Sequence, residues 1–362
     1  MPSKARQLAQ SASAPEGRKN VIINGAQQVA QRSTSTSGIG ASGGYFVTDR
    51  MNLSVNGMDG RLTMSQDSDS PDGFANSLKF DCTTAQSSLD STDFAWFQTR
   101  IEGQDLQRFA KGTSSAKNFT LSFYVKANSA RTMVAELFDA DNTRAVSRTF
   151  TTTTDWSRIE IDFGADTTGA FNDDGNLSLY VALWLAGGST YSSGTLQTSW
   201  VSSTTANRAA GSSNFFSSTD NTLFITGMQL EVGSVATEFE HCSFAEELAA
   251  CQRYYYEGVQ DSTGINAHNI HVLATFTTTR GFVGVDVPVP MRSAPSISLT
   301  GSVALRTPAL VSEGTLTSAG IYAAMDQNAR FSIDCGFGAS TAGEYRNITT
   351  GAEGGFIFDA EL

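Results

Sequence analysis

Charged residues, histidines and long apolar runs are all scarce in this chain of 362 residues. Only 17% of the residues are charged, against roughly 25% in ordinary globular proteins, and 33 glycines with long Ser/Thr tracts take their place. The longest apolar run, 179–186, is far shorter than the roughly 20 residues needed to cross a bilayer. Residues 1–20 lack the apolar core of a signal peptide. We therefore expect a soluble, strand-rich protein that is made in a cytoplasm and does not insert into a membrane.

The negative net charge argues against nucleic-acid binding, and the cysteine spacing argues against disulfides and a zinc site. A formal net charge of −12 and a pI near 4.7, with no local Lys/Arg block, would repel a phosphate backbone, so we expect no nucleic-acid partner. No C-x-x-C pair occurs among the four cysteines. In a cytoplasm, free buried thiols are favoured over disulfides or a zinc site. These four residues are Cys82, Cys242, Cys251 and Cys335.

Two-faced strands recur along most of the chain. Apolar and polar residues alternate at 119–126, 158–163 and 177–185, so one face of each strand can enter a core while the other stays wet. Asp-Gly pairs between such stretches favour tight hairpin turns. The pattern predicts an all-β fold with a β-sandwich at 21–240. Further strand signals after residue 270 predict a second, smaller antiparallel β-sandwich at 259–362.

One short amphipathic helix is predicted between the two β regions, at 241–258. Ser243 and Glu246 have the spacing of a capping box, in which each side chain satisfies a backbone N–H of the other residue. Gly258 supplies a stop signal. One stripe of the helix at helical spacing is formed by Phe244, Leu248, Cys251 and Tyr255.

Aromatic side chains on the wet faces of the strands suggest a binding surface. Exposed rings leave apolar area in water unless something stacks on them. The C–H face of a sugar ring suits such a platform, while nearby amide and guanidinium groups bind its hydroxyls. The predicted ligand-binding residues are Trp184, Tyr180, Tyr124, Gln98 and Arg100. The alternative left open is that this face packs against the second sheet, the long aperiodic stretch 187–222 or another subunit.

Other motifs carry little chemistry. The glycines of 38–44 match the spacing of the dinucleotide-binding fingerprint G-x-G-x-x-G and of the nucleophile elbow G-x-S-x-G. Both motifs require a strand followed by a turn and a helix, and the sequence around 38–44 does not have this pattern. The acidic turn 66–73 could ligate calcium or be a solvated turn. His268 and His271 could hold a metal on a threefold axis, although exposed side chains are favoured. No pair of carboxylates is singled out for glycoside hydrolysis. We expect no catalytic residue, resident metal or cofactor.

Four short stretches together carry a family resemblance. They are NVIINGAQQVAQR at 20–32, GMQLEVGSVATEFEH at 227–241, SFAEELAACQRYYY at 243–256 and FIFDAEL at 356–362. The chain resembles a family of bacteriophage virion proteins, the tail-fibre and appendage proteins. The resemblance implies that the 21–240 sandwich is similar to carbohydrate-binding jelly rolls and that the protein, synthesised in the host cytoplasm, resides in the virion.

The resemblance also implies a task and partners. With the predicted binding face, it leads us to expect a receptor-binding subunit that attaches to a host surface glycan without catalysis. We expect the arm at 1–20 to attach to another virion protein or to sister subunits. The resemblance implies a homotrimer, in which the helix stripe of Phe244, Leu248, Cys251 and Tyr255 would pack against sister chains. A capsid decoration protein, a head fibre or a structural adaptor is the alternative, and a glycan depolymerase or esterase is a more distant one.

Overall fold

The fold is all-β, which confirms the predicted class. The computed structural model describes residues 18–259, 271–306, 312–325, 328–338, 340, 342–350 and 354–362. Within these ranges, the strands of the first β region are β1 (Ser35–Ile39), β2 (Gly44–Tyr45), β3 (Asn52–Asn56), β4 (Arg61–Asp67), β5 (Ser77–Thr84), β6 (Phe94–Glu102), β7 (Phe119–Ala127), β8 (Thr132–Asp139), β9 (Arg144–Thr151), β10 (Ser157–Asp162), β11 (Leu177–Gly187), β12 (Val201–Ser202) and β13 (Thr222–Val232).

The second β region follows a helix at Phe244–Gln252, called the linking helix below. Its strands are β14 (Tyr255–Val259), β15 (His271–Thr275), β16 (Arg280–Asp286), β17 (Ser296–Thr300), β18 (Val303–Arg306), β19 (Ser312–Met325), β20 (Arg330–Phe337), β21 (Tyr345–Thr350) and β22 (Gly355–Asp359). Shorter helical turns lie at Gly103–Phe109, Ser189–Ser192, Thr205–Asn207 and Phe215–Ser217. None of the helices in the described ranges has the length and apolar character to span a membrane.

Two antiparallel sheets form the first region, and one core lies between them. The strand orders are β1-β4-β5-β13-β7-β10 and β12-β9-β8-β11-β6-β3-β2. Phe80 of the first sheet meets Phe97 of the second with ring centroids 5.3 Å apart. On β11 the predicted alternation holds, since Leu179, Val181 and Leu183 are fully buried in this core. The outer face of the seven-stranded sheet is left to the residues between them.

The long stretch 187–222 packs back onto the sandwich. Trp200, Phe215 and Phe216 are 8%, 2% and 0% exposed and belong to the main core. Tyr191 packs against the outer face of the seven-stranded sheet, 5.6 Å from the ring of Trp184. The aromatic residues of this stretch therefore anchor it to the sandwich. The stretch covers part of the outer face of the seven-stranded sheet, as the alternative to a binding surface proposed.

The linking helix begins as predicted and ends earlier. The Ser243–Glu246 capping box is present, with both reciprocal hydrogen bonds. The helix ends at Gln252, and Gly258 lies inside β14 instead of stopping a helix. The chain leaves the helix because β14 pairs with β22, with Tyr255 opposite Asp359. Aromatic residues favour such a strand.

The predicted interface stripe is divided by this change. Cys251 is fully buried and Tyr255 is 5% exposed within their own chain, so neither presents a surface to a sister chain in this conformation. The prediction of a single exposed stripe is therefore wrong for these two residues. Phe244 is 56% exposed and Leu248 is half-buried, and their role in an interface stays a prediction.

The second region consists of a closed barrel and a three-stranded sheet. The barrel order is β15-β16-β20-β19-β18-β21, and the sheet order is β14-β22-β17. One apolar core serves both, with Phe331 of the barrel 5.6 Å from Phe358 of the sheet. All four cysteines are free thiols, as predicted, and three of them are buried, whereas Cys242 is half-buried.

Buried ion pairs join the two β regions. Arg50, 2% exposed, pairs with Glu361, and Arg32 approaches the same carboxylate at 3.2 Å. Arg253, just after the linking helix, donates to the fully buried Glu102 at 2.9 Å. These contacts hold the second region against the sandwich.

The start of the described chain is also held in place. Arg18 donates to Glu247 of the linking helix at 2.6 Å, and the backbone N–H of Asn20 donates to Glu240 at 2.8 Å. Residues 1–17, which include most of the predicted arm, lie outside the described residues, as do His268 and the side chain of His271. The partner of the arm stays a prediction.

Candidate functional site

A cleft of about 210 Å³ lies on the outer face of the seven-stranded sheet. Strand β6 supplies three of its side chains at alternate positions, because successive residues of a strand point to opposite faces. The lining residues are Ser54, Trp96, Gln98, Arg100, Phe138, Tyr180 and Arg208. The central strands of the sandwich therefore fix most of the site, and one residue, Arg208, comes from the 187–222 stretch.

The strand register explains why these side chains meet. Arg100 of β6 lies opposite Tyr180 of β11, which in turn lies opposite Phe138 of β8. Two residues earlier on β6, Gln98 lies opposite Ala182. Because alanine is small, this row forms a depression between the aromatic rows on either side.

Gln98 is fixed at the bottom of the cleft. Its amide donates to Asn52 Oδ1 at 3.0 Å and its carbonyl oxygen accepts from Trp96 Nε1 at 2.9 Å. The side chain is 1% exposed, so it has lost its water and is held by these two partners. Within the described ranges, the second N–H of this amide and the second lone pair of its oxygen have no further hydrogen-bond partner.

Arg208 is held by a carboxylate beneath the cleft. Its Nε and Nη2 donate to Glu136 at 2.9 and 2.8 Å, a bidentate pair. Glu136 is fully buried and also accepts from Trp184 Nε1 at 3.1 Å. The guanidinium carbon lies 4.9 Å from the Trp96 ring and 4.7 Å from the Phe138 ring, within cation-π range. The bidentate pair leaves Nη1 of Arg208 as the remaining donor group.

Aromatic rings form the walls of the cleft. Trp96 stacks on Phe94 with centroids 4.2 Å apart and an angle of 12° between the planes. Tyr180 contacts Phe138 edge to face at 5.7 Å, and the guanidinium of Arg100 lies 5.7 Å from the Tyr180 ring. Within the part of the chain that the structure describes, no hydrogen bond is found for the hydroxyls of Ser54 and Tyr180. Both hydroxyls can therefore bind a ligand.

Three of the five predicted ligand residues line the cleft together: Gln98, Arg100 and Tyr180. Arg100 also donates to the main-chain oxygen of Leu362, so one of its amino groups is occupied within the chain. Sequence reasoning missed Trp96, although the alternation over 94–101 that selected Gln98 also places Trp96 on the same face. It also missed Arg208, for which no periodic signal exists.

Trp184 is on the predicted face of β11 but is not exposed there. It is 0% exposed and forms a small outer cluster with Val134 and Ala209. Arg208 lies 5.2 Å above its ring. The prediction of a wet Trp184 platform is therefore wrong, because the 187–222 stretch covers this ring.

Tyr124 lies on the other sheet and is remote from the cleft. It belongs to β7, and its ring packs 5.3 Å from Phe74 and 6.0 Å from the guanidinium of Arg158. The structure does not bring Tyr124 together with the other predicted ligand residues. Its position makes it a useful comparison residue for experiments on the cleft.

The acidic turn at 66–73 is engaged in contacts within the chain. Asp69 accepts from Lys126 at 2.5 Å and from Trp156 Nε1 at 3.0 Å. These hydrogen bonds, with that of Lys126 the strongest influence, lower the pKa of the Asp69 carboxyl below its ordinary value. Among the described residues, no group of three or more His, Cys, Asp or Glu side chains is placed to hold a metal ion.

Comparison with known proteins gives structural matches only. No family model and no curated protein matches the chain. One similar structure is the enzymatically active domain of tailspike protein 4 of bacteriophage CBA120, at 14% identity over 59% of this chain and 21% of that one, with a TM-score of 0.31. The match thus spans about a fifth of the tailspike chain.

Two other similar structures are carbohydrate-binding modules. The family 11 module of Clostridium thermocellum, in complex with a β-1,3-1,4-mixed-linked tetrasaccharide, has 12% identity over 57% of this chain and 99% of that one, with a TM-score of 0.26. The family 61 module in complex with β-1,4-galactotriose has 11% identity over 59% and 99%, with a TM-score of 0.28. At low identity and low TM-score, the chain is similar to carbohydrate-binding modules and to one phage tailspike domain.

Proposed function

We propose that this chain is a non-catalytic, glycan-binding component of a bacteriophage virion, a tail-fibre or receptor-binding subunit that attaches to a host surface glycan. The observation that carries the glycan-binding part is the cleft on the seven-stranded sheet. There, two aromatic walls flank a low polar row that contains Gln98. The virion part is supported by the four sequence stretches that resemble phage appendage proteins.

The cleft has the chemistry that a sugar ring requires. The rings of Trp96, Phe138 and Tyr180 offer apolar surface to C–H groups, and the free groups of Gln98, Ser54 and Tyr180 can exchange hydrogen bonds with hydroxyls. A volume of about 210 Å³ is below the roughly 300–1,000 Å³ of pockets that enclose drug-sized ligands. It therefore fits a single sugar residue of a longer chain better than an enclosed oligosaccharide.

The absence of an acid-base pair at this site supports binding without turnover. Glycoside hydrolysis generally requires two carboxyl groups that face each other across the bond to be cleaved. The residues that line the cleft include no Asp, Glu or His. Glu136, directly beneath, is fully buried and neutralised by Arg208. This arrangement disfavours the depolymerase and esterase alternatives at the cleft.

The assembly of the chain is part of the same proposal. Residues 1–20 would attach to other virion proteins, and the exposed Phe244 with Leu248 would contact sister chains in a homotrimer. A capsid decoration protein, head fibre or adaptor would use the same fold at another place in the virion. Immunogold labelling of particles separates these cases, since label on the tail supports a tail fibre and label on the head excludes it.

We expect Tyr180→Ala to weaken polysaccharide binding at least tenfold, which is about 1.4 kcal/mol. Its ring and hydroxyl form one wall of the cleft, and its half-buried position places it outside the core. The measurement is retardation in native gels that contain β-1,3-1,4-glucan, β-1,4-galactan or bacterial surface polysaccharides. Tyr124→Ala is the matched control, because it removes the same side chain from the outer face of the other sheet.

Three outcomes would contradict the proposal. Equal retardation of the wild type and a folded Tyr180→Ala variant would remove the cleft as the binding site. Retardation of the wild type by none of these polysaccharides would remove glycan binding itself. Appearance of new reducing ends during incubation would show turnover and overturn the non-enzymatic assignment.

A further inference from the structure

The outer surface of the barrel carries a group of exposed aromatic and apolar side chains. Phe276, Tyr322, Met325 and Tyr345 are 46%, 69%, 41% and 66% exposed. Single exposed apolar residues are common on proteins, whereas adjoining ones mark contact surfaces. These four are not used by the cleft or by the junction between the two β regions.

The exposed rings adjoin one another. Phe282 stacks on Phe276 with centroids 4.7 Å apart and contacts Tyr322 at 4.5 Å. The register places Ala274 between Phe282 and Tyr345 in one row. The rings of three strands and one turn therefore form a continuous apolar surface, which we call the barrel face.

Small residues form a furrow next to these rings. On β16 and β20, Gly284 lies opposite Ser332, and on β20 and β19, Asp334 lies opposite Gly320. A Cβ atom added at Gly284 or Gly320 would meet nothing within 4 Å. The barrel face therefore has both protruding rings, such as Tyr322, and depressions, such as the one at Gly284.

The charges of the barrel face are arranged so that a copy can match them. On β16, Arg280 and Asp286 lie at opposite ends, and on β20 the order along the same direction is Asp334 and then Arg330. Within the chain, Arg280 pairs with Asp334 and Arg330 with Asp286. A twofold rotation about an axis parallel to these strands exchanges β16 with β20. It therefore places each cation beside an anion of the copy.

We propose that the barrel face binds a second copy of this chain in an isologous, twofold contact. The rotation brings Tyr322 of one copy over the strand that carries Ala274 in the other, so a protruding ring meets a small residue. Burial of the rings drives the contact, and in this arrangement each charge at the ends of the furrow faces an opposite charge of the copy. This pairing is separate from the glycan cleft and from the trimer contact proposed for the linking helix.

The test is the mass of the full chain in sedimentation equilibrium between about 1 and 100 μM. We expect reversible twofold association, of single chains or of the trimers proposed above, that Tyr322→Ser weakens at least tenfold. Gly284→Lys should weaken it as strongly, because a long side chain would fill the furrow without touching its own fold. Gly314→Lys is the matched control, since its Cβ also meets nothing within 4 Å and it lies where β19 pairs with β18, away from β16.

Each other outcome overturns the proposal. A wild type that stays monomeric at 100 μM removes the contact. A dimer that survives Gly284→Lys uses another surface, and a trimer that Gly284→Lys abolishes removes the twofold arrangement. A monomer whose polysaccharide binding falls on Tyr322→Ser would assign the barrel face to a carbohydrate instead. Circular dichroism of each variant confirms that it is folded.

Discussion

Replacing Lys111 with methionine is expected to lower the free energy of unfolding by about 3–5 kcal/mol. The Lys111 side chain has no solvent exposure and lies between Asp139, at 2.5 Å and equally buried, and Asp166, at 3.1 Å. Two backbone carbonyls, of Thr168 and Gly169, also accept from its ammonium group. Methionine keeps the volume but leaves Asp139 buried without a cation.

Breaking a buried pair costs more than the pair contributes, because the remaining charge cannot be solvated. Arg144 donates to Asp166 at 2.8 and 2.9 Å and should continue to do so in the variant, so the main loss is expected at Asp139. Its other contacts come from the backbone and amide N–H groups of Asn142, which are neutral. Urea unfolding followed by tryptophan fluorescence measures the change as a shift in midpoint.

Acid should reduce the difference between the wild type and Lys111→Met. Burial by itself would raise the pKa of Asp166, but hydrogen bonds from Arg144, the Thr168 N–H and Lys111 lower it below the ordinary value. A carboxyl with a lowered folded-state pKa contributes stability above its unfolded-state pKa and loses it as the pH falls through the folded-state pKa. The part of the difference that depends on Asp166 should therefore begin to shrink only below its unfolded-state pKa, at about pH 4, and disappear as the pH falls through the lower folded-state value.

Lys79→Met provides the control for this experiment. Lys79 pairs with Asp81 at 2.9 Å, but both side chains are 25–30% exposed, and pairs of this kind contribute roughly 0–1 kcal/mol. A loss below 1 kcal/mol for Lys111→Met at neutral pH would show that Asp139 is not left as a buried charge. A loss equal to that of Lys79→Met would have the same meaning.

The alternation of the strands was sufficient to predict which way side chains point, but not whether the outer ones are wet. Tyr180 and Trp184 have the same orientation on β11, yet only Tyr180 lines the cleft. Trp184 is covered because Ala209 packs against it and Arg208 lies above it. These two residues come from a stretch without periodicity, whose path depends on tertiary contacts that no local pattern encodes.

The end of the linking helix shows a second limit of local patterns. Cys251 and Tyr255 are four residues apart, which fits one face of a helix, but Tyr255 to Gly258 also fit a strand. Pairing of β14 with β22, about a hundred residues later in the chain, decides for the strand. The capping box, which needs only residues within one turn, could be predicted and is present.

The residues of the cleft could be predicted only in part, because contacts between residues distant in the sequence leave no local pattern. Gln98, Arg100 and Tyr180 follow from alternation on two strands that proved to be neighbours. The pairing of Arg208 with Glu136 joins residues 72 positions apart and leaves no trace in either local sequence. Sequence therefore locates the face that carries the cleft, and the covering stretch 187–222 determines the shape of that cleft.

Replacing Glu361 with glutamine should uncouple the two β regions, with a loss of about 3–5 kcal/mol at their junction. Glu361 has a side chain only 5% exposed and serves both Arg50 and Arg32. Burial alone would lower the pKa of Arg50, but the charge of Glu361, followed by those of Tyr254 and Tyr45, raises it above its ordinary value. Without the carboxylate, two guanidinium groups stay buried with less compensation.

The tryptophans allow this uncoupling to be seen directly. All four, Trp96, Trp156, Trp184 and Trp200, lie in the sandwich, so tryptophan fluorescence reports the unfolding of the first region alone. Circular dichroism reports the strands of both. In the wild type the two signals should change together, whereas in Glu361→Gln the circular dichroism should begin to change at a lower urea concentration.

A matched variant separates the junction from the stability of the barrel itself. Asp286→Asn makes the equivalent change at an acidic residue of the second region, where Asp286 is 66% exposed and pairs at 2.5 Å with Arg330, which is 52% exposed. Its two transitions should stay coincident, because exposed pairs contribute little. Coincident transitions in Glu361→Gln as well would contradict the prediction. They would mean that other contacts, such as Arg253 with Glu102, are sufficient to keep the two regions one cooperative unit.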